Sequence, residues 1–562
     1  MTDIDFHAIE IEAPTYAEIS SAYREIQNQL ESATHLEQRY QAIQNWDQLR
    51  RNIETWECLT ELRFHQDTRN DAYKKAREYC DALRPKLMEL AVNMKRALIE
   101  SPFRDDFERH YGLQAFAIWQ SEIMTYDPVI ELEMIQEATL CAEYTELLAG
   151  AEIEFRGECF NLSEIVKFRE DPDRTTRLGA EQSRWSWYDR NRERLDLIFD
   201  ELVKLRTIMA RKLGFHNFVE LGYRRMMRID YHEADVSEFR DAVRETVVPL
   251  CEKICQQQAE DLTLDRVAYW DESIFDLGGN PKPLGDHGWL LKQAQEMFEQ
   301  MGGGLDSFFR KMVSSDLMDL KGRDGKAGGG FCTAFPSYGV PFIFANFNGT
   351  KGDVEVFTHE MGHAFQSYES REKPLLDYLW PTYESCEIHS MSLEFLTWPY
   401  MEKFFGDDAT RFRRIHLIQS LLFLPYGVAI DHFQHLIYAE PSAKPADRNA
   451  MWQEMERMYL PWREYDNLPH VADGGLWQSQ RHLYLSPFYY VDYTLALTCA
   501  LQFWLRSDED RAGAIRNYVA LCQRGGEAPF QELVKSAGLK SPFEKNCLVD
   551  VVRSAERFLD QA

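Results

Sequence analysis

The chemistry of this sequence concentrates in residues 353–368, which read Asp-Val-Glu-Val-Phe-Thr-His359-Glu360-Met-Gly-His363-Ala-Phe-Gln-Ser-Tyr. Asp353 follows a Gly-containing turn and is expected to cap a helix, because no Pro interrupts the run that follows. On that helix His359 and His363, at i and i+4, project from one face and can share a metal ion. Glu360 lies about 100° around the axis, able to reach a water at that metal without ligating the metal itself. Chance alone would place an HExxH run in roughly 0.04 of such sequences, so the spacing is informative. Val354, Val356, Phe357, Met361, Ala364 and Phe365 make the segment apolar on most sides, which predicts a core helix. Imidazoles and a carboxylate buried there need partners, since unpaired polar groups are costly.

Zinc held by two histidines requires a third protein ligand and an open position for water. Six residues beyond His363 stands Glu369, so a metzincin-type third histidine is absent. The next acidic segment, residues 383–395, places Glu384, Glu387 and Glu394 near one helix face, at spacings of three and seven. Ile388, Met391, Leu393, Phe395 and Leu396 leave little room for a purely solvated helix. A buried carboxylate beside Zn²⁺ is stabilised in its charged form, and that argument covers any of the three.

These segments must be held by a chain that reads mostly as amphipathic helix. Residues 14–100 are rich in Glu, Gln, Lys, Arg, Leu and Ala, with few Gly or Pro. Breaks are expected at Ser101-Pro102, at Tyr126-Asp127-Pro128 and at Glu170-Asp171-Pro172-Asp173. The last precedes another helical run, 175–213, and suggests an N-terminal helical lobe over 1–175 and a catalytic lobe over 176–562, with some helices crossing between them. No repeat of fixed period is visible. Between residues 302 and 350 the texture turns Gly-rich, then apolar and aromatic over 340–347, which predicts a strand. Pro341 places that strand at a sheet edge or at a strand start. An edge there could hold an extended peptide through its main chain. The Gly325-Lys326 pair is followed by Ala327, so the glycines do not form a phosphate loop.

Composition narrows the partners. The 562 residues carry 63 Lys+Arg against 92 Asp+Glu, a formal charge of −29, which argues against a nucleic-acid partner. With 44% hydrophobic and 13% aromatic residues there is ample material for a core. The most apolar window, 417–438, contains Pro425, Asp431, His432 and His435 and is too polar to span a membrane. No secretory signal is visible at the N-terminus. Eleven scattered cysteines, without a CxxC pair, fit reduced and mostly buried thiols, hence a cytoplasmic setting.

The sequence resembles the M3 family of zinc metallopeptidases, the thimet oligopeptidase and oligoendopeptidase F group, nearest its bacterial oligoendopeptidase F and Pz-peptidase branch. The resemblance lies in His359-Glu-Met-Gly-His363, in Glu387-Ile-His-Ser390-Met-Ser-Leu-Glu394, in the 343–353 run entering the metal helix, and in His482 followed by Pro487-Phe-Tyr489-Tyr490-Val-Asp-Tyr493. It implies a mainly α fold: a large helical ellipsoid with a deep substrate channel and a small β-sheet beside the HExxH helix. It implies one Zn²⁺ per chain, held by His359, His363 and Glu387, with Glu394 orienting a ligand histidine. Glu360 is then the general base that activates water at the zinc, and His482, Tyr489 and Tyr493 face the oxyanion, with Tyr490 the residue most easily confused with them. Two positions depart from the family pattern: Gln366 stands where many relatives have His, and His389, which could compete with Glu387 for the metal, stands where small residues or Pro are usual. The expected activity is cleavage of internal bonds in short unfolded peptides by a soluble protein without membrane or nucleic-acid partners. The sequence does not set the oligomeric state, and a monomer is compatible with it. A helical zinc carboxypeptidase or dipeptidase is the alternative, and a non-catalytic scaffold a weaker one.

Overall fold

Helix-favouring composition gives the N-terminal segment three long helices, Tyr16–Ser32, Leu36–Gln66 (α1) and Asp71–Ile99. The computed structural model describes residues 4–323 and 325–561. Local chemistry sets these boundaries: Thr15 and Glu18 form a reciprocal capping box, and the Asn70 side chain accepts from the amides of Ala72 and Tyr73. The expected breaks fall between elements. Asp71–Ile99 ends before Pro102, Leu113–Thr125 ends before Pro128, and Asp173 caps the helix Arg174–Arg190. The protein is mainly α, 70% helical with only small sheets.

Two compact units emerge, and neither is continuous in sequence. The first comprises Met1–Tyr126, Lys282–Asp407 and Cys499–Ser541; the second comprises Asp127–Pro281, Asp408–Thr498 and Pro542–Ala562. Residue 175 lies inside the second unit, near the start of the helix Arg174–Arg190. That unit also contains a short hairpin, Ile153–Phe155 with Glu158–Phe160, which the helical reading of the sequence did not anticipate. Its positive-φ Arg156 and Gly157 make the turn.

In the first unit a three-stranded sheet has the order β1 (Met318–Lys321), β3 (Val340–Phe347), β2 (Phe331–Phe335). β3 pairs in parallel with β1 and antiparallel with β2. The run 340–347 is therefore the middle strand, which corrects the expectation that it offers an edge to a peptide: its main chain is engaged from both sides. Pro341 is tolerated as the second residue of that strand, opposite Ala334. The Gly-rich connection into β2 is tied down by backbone bonds. Thr68 donates to the Gly325 carbonyl, and Ala327 donates to that of His65 at the end of α1, both at 2.8 Å. Lys326, whose side chain is buried, donates through Nζ to Asp319 and to the carbonyls of Lys321 and Ala345, anchoring the loop to β1 and β3.

From β3 the chain passes directly into α2 (Gly352–Glu369), which carries the HExxH residues. Asp353 is not its cap, contrary to expectation. It lies within the first turn, and its carboxylate accepts the amides of Asn348 and Gly349 at 2.9 and 2.7 Å, folding the entry loop onto the helix start. α3 (Tyr383–Leu396) packs along α2. The approach is close at Gly362, where an added Cβ would stand 2.5 Å from the His389 carbonyl oxygen and 2.6 Å from the Ser390 Cα. Those are backbone atoms that cannot swing away. In the second unit the apolar window forms α4 (Ala409–Ala439), with Pro425 inside it. No helix among the described residues is long and apolar enough to cross a membrane.

The Gly362 contact makes a stability prediction. Gly362→Ala should destabilise the protein by about 1–3 kcal/mol through overpacking of α2 against α3, seen as a lower thermal midpoint. A midpoint equal to that of the parent would contradict the close approach.

Candidate metal centre and active site

α2 and α3 bring three side chains of the first unit together. His359 Nε2 lies 3.3 Å from Glu387 Oε2, and His363 Nε2 lies 3.4 Å from the same oxygen. Among the described residues this is the group whose ligand atoms could hold a metal ion, all lying within 4.8 Å of one another. Both contacts are long for hydrogen bonds and converge on one oxygen, so the atoms surround a point instead of pairing off. The ring of His359 is fixed from behind: its Nδ1 lies 2.7 Å from Glu394 Oε1, leaving Nε2 toward the group. Ser390 donates its hydroxyl to Glu387 Oε2 at 2.9 Å and fixes that carboxylate.

The electrostatics of the group are those of a cation site. Burial alone would raise the Glu387 pKa, yet His363 and His359 hold it well below the usual carboxylate range. Burial works against a charged His359, but Glu387 and Glu394 outweigh it and raise that ring's pKa well above its ordinary value. Of the three carboxylates left open by the sequence, Glu387 joins the histidines, Glu394 supports one of them, and Glu384 is buried outside the group. His389 is also outside it. Burial lowers its pKa to about 4, and its carbonyl accepts the Tyr518 hydroxyl at 3.0 Å. Gln366 is fully buried and donates to Ser370 Oγ and the Leu379 carbonyl, both at 2.9 Å, which is a packing role.

Glu360 sits beside the group, buried, and its Oε2 has no hydrogen-bond partner within the protein. Burial pushes its pKa up while His359 and His363 pull it down, and the net direction is upward. The Gly-rich connection runs past it: a Cβ on Gly330 would stand 3.6 Å from Glu360 Oε1 and 3.1 Å from Val356 Cγ1. Cys332 and Cys386 are thiols that burial holds well above their ordinary pKa, as expected of inert cysteines.

In the second unit, the short helix α5 (Arg481–Leu485) and the start of α6 (Tyr490–Glu509) gather an aromatic cluster. The His482 ring centroid lies 5.7 Å from that of Tyr489, 5.0 Å from Tyr490 and 5.8 Å from Tyr493, and Tyr489 and Tyr493 are 4.9 Å apart. Tyr490 is buried, whereas His482, Tyr489 and Tyr493 are half-exposed. Between the two helices Phe488 adopts φ 69°, a left-handed conformation costly for a large side chain. It is held by three contacts. Its amide donates to Gln434 Oε1 at 2.7 Å, its carbonyl accepts from Arg228 Nη2 at 2.5 Å, and its ring fills space that any Cβ on Gly222 would invade at 2.5 Å. Arg228 also donates to Asp492 Oδ1 at 2.8 Å, so one guanidinium clamps both sides of Tyr489 and Tyr490. Sequence reasoning missed Phe488, Arg228 and Lys326, whose roles depend on long-range contacts.

Comparison with known proteins identifies the family. The profile of the peptidase M3 N-terminal domain matches residues 6–126, and that of peptidase family M3 matches residues 167–276 and 305–551. The chain belongs to peptidase family M3. Its fold matches a crystallised oligoendopeptidase F with a TM-score of 0.96 and 45% identity, covering 100% of this chain and 99% of that one. A structure of PZ peptidase A with an inhibitor also gives 0.96, at 42% identity over 99% of each chain. An oligoendopeptidase F homolog of Borreliella burgdorferi is 26% identical over 228 residues, which is 38% of this chain and 37% of that relative. These relatives place the chain in the oligoendopeptidase F branch of M3, a family of peptidases that are generally metal-dependent.

The contact behind His359 can be tested through metal affinity. Glu394→Ala should weaken divalent-cation binding by about 10–100-fold, read by competition with a chromogenic chelator. Unchanged affinity would mean that Glu394 does not set the orientation of His359.

Proposed function

We propose that this M3 peptidase is a zinc-dependent endopeptidase that hydrolyses internal bonds of short, unfolded peptides. One observation carries the reading: His359 Nε2, His363 Nε2 and Glu387 Oε2 converge, with the buried Glu360 carboxylate beside them. The donor set and spacing fit zinc. Zinc ligand bonds of about 2.0–2.1 Å in a tetrahedron imply ligand–ligand separations of about 3.3–3.4 Å, and the two histidine–carboxylate contacts are 3.3 and 3.4 Å. His359, His363 and Glu387 hold the ion, and Glu394 keeps His359 in the tautomer that offers Nε2. When bound, zinc supplies a Lewis acid that polarises the scissile carbonyl and acidifies water.

The remaining work falls to side chains. Glu360 takes a proton from the attacking water and passes it to the leaving nitrogen; its raised pKa suits an acid–base group that must hold and release a proton. The oxyanion requires neutral donors, and His482 with Tyr489 or Tyr493 supplies a ring N–H and a phenolic O–H. The strained Phe488, clamped by Arg228 and Gln434, fixes where those tyrosines begin.

An internally quenched peptide blocked at both ends tests the proposal. It should be cleaved at an internal bond, cleavage should cease on chelation, and Zn²⁺ should restore it. Glu360→Gln should retain the metal while losing about 100- to 10,000-fold in kcat. Cleavage that survives chelation, activity confined to unblocked peptides, or a Glu360→Gln variant as fast as the parent would each overturn the reading.

A further inference from the structure

His482 serves as an oxyanion donor only if its neutral ring carries a proton on the nitrogen that meets the substrate. A neutral imidazole has one N–H and one lone-pair nitrogen, and the hydrogen bond made by one decides the state of the other. The structure shows what stands at Nδ1. Gln480 Nε2 lies 2.8 Å from His482 Nδ1, and the Tyr426 hydroxyl donates to Gln480 Oε1 at 2.9 Å. An amide nitrogen only donates, so Nδ1 accepts and the ring proton resides on Nε2.

We infer that Gln480 and Tyr426 are positioning residues that set the tautomer of His482, committing Nε2–H as the hydrogen-bond donor of the reaction. This rests on the proposed role of His482. The relay runs from a long helix to a short one: Tyr426 belongs to α4, Gln480 immediately precedes α5, and His482 sits in the first turn of α5. Tyr426 is itself held in place. Its ring packs at 5.8 Å against Tyr490, and Phe423, one turn earlier on α4, meets Tyr490 at 5.6 Å and Tyr493 at 6.3 Å. Burial keeps the Tyr426 hydroxyl protonated and able to donate, and it donates to the amide oxygen, which turns the amide N–H toward His482. With the opposite tautomer the Nε2 lone pair would face a developing negative charge, which repels where the reaction needs attraction.

The test combines a spectroscopic reading with a double-mutant cycle. In protein labelled with ¹⁵N-histidine, the His482 resonances, assigned by their loss in His482→Ala, should show protonated Nε2 and unprotonated Nδ1. Protonation at Nδ1 in the parent protein would overturn the inference without any variant needing to fold. In kinetics, His482→Ala should lower kcat by roughly 100- to 1,000-fold, as for loss of an oxyanion donor. Gln480→Glu, which replaces the donor by an acceptor and draws the proton to Nδ1, should lower kcat by about 10-fold or more with KM within about twofold, yet add less than about twofold in the His482→Ala background. If His482→Ala keeps its full kcat, the assigned role of His482 falls, and this inference with it. If His482→Ala is impaired but Gln480→Glu is as active as the parent, or loses equally in both backgrounds, only the inference on Gln480 falls.

Discussion

The site depends on bringing two helix backbones close enough for three ligand atoms to meet. His359 and His363 come from one face of α2 and Glu387 from α3, and all three reach one point because Gly362 lets α3 approach. A side chain at that position would push the backbone of His389 and Ser390 away, and Glu387 with it. The glycine of His-Glu-Met-Gly-His is thus a packing requirement with a chemical consequence. The tight α2–α3 pairing also explains why so many polar side chains of α3 are buried: Ser385, Glu387, Ser390 and Ser392 all face protein.

Within the His359, His363 and Glu387 group, the buried charges face counterparts. Glu387 lies between two imidazoles, His359 between two carboxylates, and Ser390 contributes a further donor. Such a cluster binds positive charge whether supplied by protons or by a metal, since desolvated carboxylates strongly favour a nearby cation. Glu360 has one buried carboxylate oxygen without a hydrogen-bond partner inside the protein, as do Glu133 and Asp431. An orphaned acceptor of this kind carries a cost; what marks Glu360 among such carboxylates is its place in the sequence next to His359, where the proposed function uses it for proton transfer.

The HExxH spacing made the two histidines and Glu360 legible from sequence, because i, i+4 geometry on a helix is purely local. The choice among Glu384, Glu387 and Glu394 was not local. The spacing set them near one face, and only the crossing of α3 against α2 separates the carboxylate in the group from the one supporting His359. Asp353 illustrates a competing use of the same chemistry: an Asp near a helix start can cap the helix or gather the preceding loop, and here the amides of Asn348 and Gly349 take it. The strand at 340–347 was readable as a strand but not as the centre of its sheet, since the partners β1 and β2 are short and are set by tertiary pairing. The units themselves were hidden, because each is assembled from separated stretches of chain. Phe488 and Gln480 were silent for a related reason: their roles rest on Gly222, Arg228, Gln434 and Tyr426, all far away in sequence.

Anomalous diffraction above and below the zinc absorption edge, on crystals of the purified protein, addresses the central claim most directly. The account predicts a single edge-dependent peak bonded to Nε2 of His359, Nε2 of His363 and a carboxylate oxygen of Glu387, with Glu394 still on Nδ1 of His359. A peak held by other residues, or a Glu387 side chain turned away from both histidines, would contradict it.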